Sequence, residues 1–347
     1  MLRMWIAIIC VFCANSLFAQ DALQYQKPSK EILELVDVTL APATLLDDKQ
    51  ENMVLIFRDN YKSIDDLSKE ELRLAGLRID PVTNIGSRVT YYNKLEIQRV
   101  GRTESLVVKG LPSSPKLANF KWSPNQRYIA FTHTTKTRVE LWVLDIEAAS
   151  ARRLFDKPLN ANMGDVISWD AKSKSLLVKV VPSDRKALID TSLAVPTGPT
   201  ISVSDGKKAQ NRTYQDLLKN KNDEANFEQL ARAEIHRVWL KGDSAVWRKA
   251  GMYGEVSVSP GGDYVMVQEY QRPFSYLVTY RRFGHTVDIY NMDAKLAKTI
   301  VSVPLIEDLP QGFMAVRTYP ETCSGEMISQ TLLSMQKHWM VETQRLT

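Results

Sequence analysis

The stretch "KLANFKWSPNQRYIAFTHTTKTRVELWVLDIEAASARRLF", residues 116–155, contains the signals of four short strands joined by turns. A Ser-Pro turn follows the first strand. Residues 128–132 then alternate between two faces, and "VELWVLDI" supplies a third strand. Alternation of this kind is typical of half-buried strands, and Pro, Asn and Gly mark the turns between them. The stretch therefore predicts one four-stranded antiparallel sheet.

The same order of strands and turns recurs along the chain. It returns in "ISWDAKSKSLLVKVV" (167–181), "EVSVSPGGDYVMVQEY" (255–270) and "HTVDIYNMDAKLAKTI" (285–300). A repeat of about 40 to 50 residues with four strands is the signature of a β-propeller blade. Because one such sheet cannot bury both of its faces, blades must stack around an axis. We predict an all-β propeller with an incomplete set of blades.

Two segments depart from the strand pattern. Residues 211–240 predict a helical insertion over about 213–233, with Thr213 as N-cap, followed by the strand "EIHRVWL". Four apolar residues would pack this helix on the propeller edge: Leu217, Leu218, Phe227 and Leu230. Near residue 68, Ser68 and Glu71 form a capping-box pattern, which predicts a short helical turn running into a strand.

The first 19 residues, "MLRMWIAIICVFCANSLFA", have the pattern of a secretory signal peptide. Arg3 precedes a short apolar run, and small residues permit cleavage after Ser16 or Ala19. The apolar run is too short to indicate a membrane span. We therefore expect an exported, periplasmic or extracellular protein with no integral membrane segment in the mature chain. Cleavage would leave Cys323 alone, without a disulfide partner.

Composition excludes some classes of function. The 347 residues are 44% hydrophobic and 24% charged, as in ordinary globular proteins, and the net charge of +5 is spread along the chain. Nucleic-acid-binding proteins more often carry a basic stripe or arm, so no nucleic-acid partner is expected. Composition leaves the oligomeric state open.

Catalytic and metal-binding motifs are absent from the sequence. No G-x-S-x-G occurs, and "GDSAV" at 242–246 lacks the second glycine of a nucleophile elbow, so a hairpin turn is the simpler interpretation. The histidines have no metal-ligand spacing: His133, His236, His285 and His338. We predict no catalytic residue, metal or cofactor from local sequence.

One stretch is richer in aromatic and basic residues than a strand and turn require. "EYQRPFSYLVTYRRFG", residues 269–284, interleaves tyrosines and phenylalanines with three arginines. A strand pair with aromatic cross-strand packing explains it, and so does a peptide-binding lip, because Tyr and Arg are favoured at recognition sites. The second interpretation gives four candidate substrate-binding residues: Arg272, Tyr276, Arg281 and Arg282.

Several segments together resemble a known family. "YQKPSKEILELVD", "ELRLAGLRIDPVTN", "WSPNQRYIAFTHTT", "SLLVKVVPSDR" and "RPFSYLVTYRRF" are similar to the N-terminal half of secreted bacterial peptidases of the prolyl oligopeptidase family, in the glutamyl endopeptidase-like branch. That branch includes proteins described as dipeptidyl aminopeptidases and acylaminoacyl-peptidases. The resemblance runs from about Tyr25 to Tyr319 and marks residues 25–319 as the propeller domain.

The resemblance implies a function as well as a fold. In this family the propeller caps an α/β-hydrolase domain with a Ser, Asp and His triad, and it admits peptide substrates by size. No triad residue can be carried over, because nothing here matches the nucleophile elbow. The expected function is therefore the substrate-gating portion of a serine peptidase, inactive alone. A stand-alone propeller that binds peptides or proteins is the alternative, and an enzyme with an unrecognised site remains open.

Residues 320–347 do not match the family. Ile328, Leu332, Met335 and Trp339 fit one face of a helix. A second interpretation is a frameshift, in which the third base of each codon is read with the first two bases of the next. Four residues of the shifted frame are then the same whichever synonymous codons the gene uses. Alanine arises across Met335-Gln336, leucine across His338-Trp339, aspartate across Trp339-Met340 and glycine across Met340-Val341. The shifted frame can encode a blade strand of the family, so we expect residues from about Glu321 onward to be out-of-frame translation.

Overall fold

The computed structural model describes residues 27–190, 193 and 214–307, which form two compact units divided between Leu40 and Ala41. In the first unit, helix α1 (Lys30–Val36) exposes Ile32 and Leu35. The predicted signal peptide, Thr213 and the tail from residue 320 lie outside the described residues. Within those residues, no helix has the length and apolar character needed to cross a membrane.

The described part of the second unit contains four blades of four antiparallel strands each, taken in chain order, and blades 2 to 4 are hydrogen-bonded to one another in one 11-stranded sheet. Blade 1 contains β1 (Ala43–Leu46), β2 (Asn52–Phe57), β6 (Lys94–Arg99) and β7 (Ser105–Val107). Blade 2 contains β8 (Leu117–Trp122), β9 (Tyr128–Thr134), β10 (Val139–Asp145) and β11 (Ser150–Leu159). Blade 3 contains β12 (Ile167–Trp169), β13 (Ser175–Val180), β14 (Ala233–Trp239) and the start of β15 (Ser244–Val258). Blade 4 contains the rest of β15, β16 (Tyr264–Tyr270), β17 (His285–Asn291) and β18 (Leu296–Val303).

Two long strands join neighbouring blades. Strand β15 pairs with β14 through residues 244–251 and with β16 from Met252 onward. Strand β11 pairs with β10 and then, at Leu159, with Val180 of β13. The predicted all-β propeller is therefore confirmed, and the described sheets do not close into a ring. The "GDSAV" segment lies at the hairpin between β14 and β15, as expected, with Gly242 and Asp243 in the turn and residues 244–246 at the start of β15.

Each blade closes its first hairpin with the same five-residue geometry. The first turn residue is Asp47, Ser123, Asp170 or Ser259, and in each case its N–H donates to the carbonyl five positions on. Its own carbonyl accepts from the N–H three positions on. All four residues are buried, and their side-chain oxygens accept turn N–H groups. Short Asp and Ser side chains suit this position because they satisfy backbone donors within a turn.

The third residue after each of these positions has a left-handed backbone. Its φ is 58° at Gln50, 60° at Gln126, 56° at Ser173 and 82° at Gly262. Two of these residues also connect blades. The Gln126 side chain exchanges two hydrogen bonds of 3.0 and 3.1 Å with Asp48 of blade 1, and Ser173 Oγ accepts from Asn125 N of blade 2 at 3.0 Å. The turns therefore fix the order of neighbouring blades as well as their own hairpins.

Apolar residues fill the spaces between blades. Blades 1 and 2 share a cluster around Val54, Leu95 and Phe131, and blades 2 and 3 share another around Leu141 and Trp169. On β13, Leu176 and Val178 face the blade 2 cluster, while Leu177 packs in the cluster shared with blade 4. Both faces of this strand are buried because blade 3 lies between blades 2 and 4. Because apolar residues of each blade pack against a neighbouring blade, we expect one blade to be unstable alone.

Blade 1 carries an insertion between β2 and β6. It contains the short helix α2 (Ile64–Leu67) and a small sheet of β3 (Leu72–Leu74), β4 (Leu77–Asp80) and β5 (Ile85–Gly86). The predicted helical turn before a strand is present, but the predicted cap is wrong. Ser63 is the N-cap, since its side chain accepts from Asp66 N, and Ser68 is the C-cap.

Helix α3 (Lys221–Ala231) is the predicted insertion, and it begins later than expected. Asn220 is its N-cap and accepts from Asp223 N at 2.9 Å. Residues 214–220 are not helical, and Asp216 has a left-handed backbone that interrupts any helix there. Of the four apolar residues expected to pack, Leu218, Phe227 and Leu230 are buried and Leu217 is half-buried.

The first testable prediction concerns the blade 3 turn. Asp170 accepts from Lys174 N at 3.0 Å and from the Ser175 hydroxyl. Asp170→Ala would leave these buried donors unpaired, so we expect the free energy of unfolding to fall by about 2 kcal/mol in urea denaturation. Asp263→Ala, at an exposed position of the blade 4 turn, is the matched control and should change it by less than about 0.5 kcal/mol. Equal effects would contradict the role of the buried acceptor.

The second prediction concerns Glu140 on β10. Burial raises the pKa of its carboxyl group, but hydrogen bonds from Arg138, Trp142, Arg153 and His133 outweigh burial and lower the pKa to about 2. The folded pKa lies below the unfolded value, so the carboxylate contributes stability above about pH 4.5 that is lost as the pH falls through 2. We expect Glu140→Gln to cost about 3 kcal/mol at pH 7 and much less near pH 2.

The control for Glu140 is Glu147→Gln, because Glu147 is 72% exposed. Its substitution should leave the pH dependence of unfolding unchanged. A Glu140→Gln protein with wild-type stability at pH 7 would contradict the assignment.

Candidate functional site

A cavity of about 750 Å³ lies along the first strands of blades 2, 3 and 4. The first strands of blades 2, 3 and 4 lie next to one another, as expected for the strands nearest a propeller axis. We call this space the axial cavity. It is lined by Trp122 of blade 2, Trp169 of blade 3 and Glu255 of blade 4. Tyr270, at the end of β16, also lines it, as do Tyr280 and Arg281 in the connection that follows. Recognition sites are commonly concave and lined in this way by aromatic and a few polar groups.

The axial cavity contains groups of both charge signs. Lys121 and Asp165 form an ion pair of 2.6 Å across blades 2 and 3, and each is about half exposed. Glu255 is half-buried in the wall, and among the described residues no cation lies within ion-pair distance of it. Arg281 is exposed and lies over the Tyr280 ring at 5.7 Å. The cavity therefore offers an accessible cation and an accessible carboxylate beside aromatic surface.

Tyr270 and Tyr280 form the aromatic wall next to Arg281. Their rings meet edge-on with centroids 5.4 Å apart. Burial raises the pKa of both phenols, and the Glu255 carboxylate adds to the effect. The two hydroxyl groups therefore remain protonated at neutral pH and can donate hydrogen bonds to a ligand.

The four predicted binding residues lie in two different environments. Arg272 donates to Glu224 at 2.9 Å and to Glu228 at 2.7 Å, and Tyr276 donates to Glu224 at 2.5 Å, so both side chains are engaged with α3. Arg281 lines the axial cavity. Arg282 lies over the Tyr214 ring at 5.5 Å, and its carbonyl accepts from Ile306 N.

The aromatic residues of the 269–284 stretch pack around α3 instead of across a strand pair. Residues 271–284 connect β16 to β17 irregularly, with a 3₁₀ turn at Tyr280–Arg282. Phe274 and Phe283 stack on each other and both meet the Phe227 ring edge-on, with centroids 5.1 to 5.7 Å apart. The expected cross-strand arrangement is therefore wrong, because the helix supplies the partner surface.

The described histidines take part in structural contacts. His133 Nδ1 lies 3.4 Å from Glu140, His236 Nε2 lies 2.8 Å from Glu234, and His285 Nδ1 lies 3.0 Å from the Phe283 carbonyl. His338 is outside the described residues. Across the described ranges, no group of three or more His, Cys, Asp or Glu side chains has the geometry to hold a metal ion.

Sequence patterns did not identify several residues of the axial cavity. Glu255 and Gln268 occur in ordinary strand alternation, and Gly164 and Gly254 look like turn and strand glycines. Their role depends on close approach between blades, since a Cβ on Gly164 would lie 2.6 Å from the Gly254 carbonyl oxygen. The only local signal is glycine within a strand, which often marks close backbone approach.

Comparison with known proteins identifies relatives. No family model matches the chain. The chain is 30% identical over 307 residues to a probable chloroplastic glutamyl endopeptidase of Oryza sativa subsp. japonica, covering 84% of this chain and 32% of that protein. It is 29% identical over 306 residues to the corresponding protein of Arabidopsis thaliana, with the same coverage. The chain thus spans about a third of the length of the relatives it matches.

Among solved structures, the uncomplexed acylaminoacyl peptidase of Pyrococcus horikoshii matches with a TM-score of 0.42 and 11% identity, over 78% of this chain and 33% of that one. A structure from a study of two prolyl endopeptidases matches with a TM-score of 0.41 and 11% identity, over 86% and 35%. The long match to the plant proteins, on a fold of stacked four-stranded blades, confirms the resemblance seen in the sequence. The chain is therefore a homologue of the two probable plant glutamyl endopeptidases over about a third of their length.

Proposed function

We propose that this propeller is the substrate-gating part of an exported serine peptidase. In this function it admits peptides to a catalytic α/β-hydrolase domain and helps hold them. The axial cavity carries the proposal, because it joins an accessible cation, Arg281, to a carboxylate, Glu255, beside a tyrosine wall. A peptide in extended form offers matching groups, since it has amide donors and acceptors and charged or apolar side chains.

We propose no role in bond cleavage for the described residues. No nucleophile elbow occurs in the sequence, and each described histidine is held in a structural contact. We propose that this chain binds peptides without hydrolysing them. Incubation with a serine-directed fluorophosphonate probe and a fluorogenic peptide should give neither labelling nor turnover.

A stand-alone peptide-binding module is the second candidate. This candidate rests on the groups of the axial cavity, which offer a cation, a carboxylate and aromatic surface to a peptide. Binding would then need no second domain. Peptide affinity that is the same with and without an attached hydrolase domain would support the binding module over the gate.

Arg281 is the residue that we propose meets the acidic side chain of a substrate. Arg272 and Tyr276 are already engaged by the glutamates of α3, whereas Arg281 is exposed in the cavity. A guanidinium can donate two hydrogen bonds to one carboxylate, and such charge-assisted bonds are among the strongest in proteins. Arg282 remains a candidate for the same ligand from the edge of the 3₁₀ turn.

The third prediction tests this assignment. The purified chain should bind a blocked peptide with one internal glutamate more tightly than the glutamine counterpart, measured by isothermal titration calorimetry. Arg281→Ala should weaken binding of the glutamate peptide about tenfold, because a charge-assisted hydrogen bond is lost, and should abolish the preference over glutamine.

Arg127→Ala provides the matched control, because Arg127 pairs with Asp145 and Glu147 outside the axial cavity. It should leave both affinities unchanged. An unchanged preference for glutamate in the Arg281→Ala protein would refute the role of Arg281. A wild-type chain that binds neither peptide would refute the proposed function.

A further inference from the structure

Lys179 is a buried lysine directly behind the wall of the axial cavity. It lies on β13 and is 2% exposed. Its ammonium donates to the Met163 carbonyl and, at 3.0 Å, to the Gly254 carbonyl. Within the described ranges, no carboxylate lies within ion-pair distance of it. Buried lysines are rare unless paired, so backbone carbonyls as the partners require an explanation.

The two carbonyls belong to different blades. Met163 precedes β12, the first strand of blade 3, whereas Gly254 lies on β15, the first strand of blade 4. The chain closely approaches itself at this point, because a Cβ on Gly164 would lie 2.6 Å from the Gly254 oxygen. One ammonium therefore joins the backbones of two neighbouring blades at the place where both line the cavity.

The same two segments carry the charged groups of the cavity wall. Asp165 follows Gly164, and Glu255 follows Gly254, and all four residues line the axial cavity. Tyr270 also lines it, and its ring would be 2.9 Å from a Cβ on Gly254. A shift of either backbone would therefore move a carboxylate and change the width of the cavity.

We infer that Lys179 is a positioning residue of the axial cavity, whose ammonium sets the spacing between blades 3 and 4 and so the placement of Asp165 and Glu255. Its effect on a ligand rests on the proposed peptide-binding function. Its effect on the backbone does not. The side chain itself does not reach the cavity, so it acts through the two segments that it joins.

The protonation state of Lys179 supports this role. Burial lowers the pKa of its ammonium to about 8, and the carboxylates of Glu255 and Asp165 oppose the decrease. Hydrogen bonds from a charged donor are about twice as strong as those from a neutral one. Loss of the proton above pH 8 therefore weakens the bonds to both carbonyls. Tyr270 and Tyr280, whose pKa values burial raises, keep their protons there.

Deprotonation of Lys179 weakens its two hydrogen bonds locally, but the free energy of unfolding of the whole protein changes in the opposite direction. The folded pKa lies below the unfolded value of 10.5, so the unfolded chain binds more protons between pH 8 and 10.5. The contribution of Lys179 to the free energy of unfolding therefore rises over this interval. Local loosening at the cavity without a fall in global stability is the signature that distinguishes a positioning residue from a purely structural one.

The fourth prediction compares wild type, Lys179→Met and Lys179→Arg by hydrogen exchange and by peptide binding. Lys179→Met should speed exchange of the amides at 161–166 and 252–256, and exchange in blade 2 should not change. It should lower the affinity for the internal-glutamate peptide about tenfold, and Lys179→Arg should restore part of that affinity. In the wild type, exchange at the same two segments should rise between pH 7 and 9.5, after correction for intrinsic rates.

Several outcomes separate this inference from the proposed function. Faster exchange at the two segments in a chain that binds no peptide would uphold the inference and refute the function. Peptide binding with the same affinity and pH profile in wild type and Lys179→Met would refute the inference alone. If Lys179→Met fails to fold, the wild-type pH series decides. Hydrogen exchange at 161–166 and 252–256 that stays constant between pH 7 and 9.5 would then refute the inference.

Discussion

The structure depends on the packing of four-stranded sheets face to face, which buries both faces of a blade that lies between two others. Strand β13 shows the constraint, because Leu176 and Val178 pack toward blade 2 while Leu177 packs toward blade 4. A single sheet with two apolar faces would leave both of them in water, which costs about 25 cal/mol for each Å² of apolar surface. Stacking of successive blades removes that cost, and it brings the first strands of the blades together along one line.

The axial cavity follows from this stacking. Each first strand ends in a turn whose buried Asp or Ser accepts hydrogen bonds from backbone N–H groups of that turn, so these donors are paired where the strands approach one another. At the junction of blades 3 and 4 the approach is so close that two glycines face each other and one ammonium bonds a carbonyl from each blade. The chemical groups of the cavity wall are therefore placed by contacts between blades and not by any one hairpin.

Helix α3 has a different role from the blades. It anchors the connection after β16 through Arg272, Tyr276 and the Phe227, Phe274 and Phe283 cluster. With that connection fixed, Tyr280 and Arg281 lie at the cavity while Arg272 faces away toward the two glutamates. Four residues that look equivalent in the sequence thus divide between support of the fold and an accessible position for a ligand.

The sequence by itself determined the blades, because strand alternation and Ser or Asp turns are local signals that depend only on neighbouring residues. It also determined the existence of α3 and the relation to the glutamyl endopeptidases. It did not determine where α3 begins, since Asn is also a favoured N-cap residue, and Asn220 caps the helix after the left-handed backbone at Asp216. Only the tertiary structure distinguished Arg281, which lines the cavity, from the other arginines of its stretch, and showed Glu255 in the cavity wall and Lys179 behind it. Lys179 and Gly254 are 75 positions apart, and nothing in either segment encodes their contact. Stacking of the blades creates that contact, and it depends on the whole sheet.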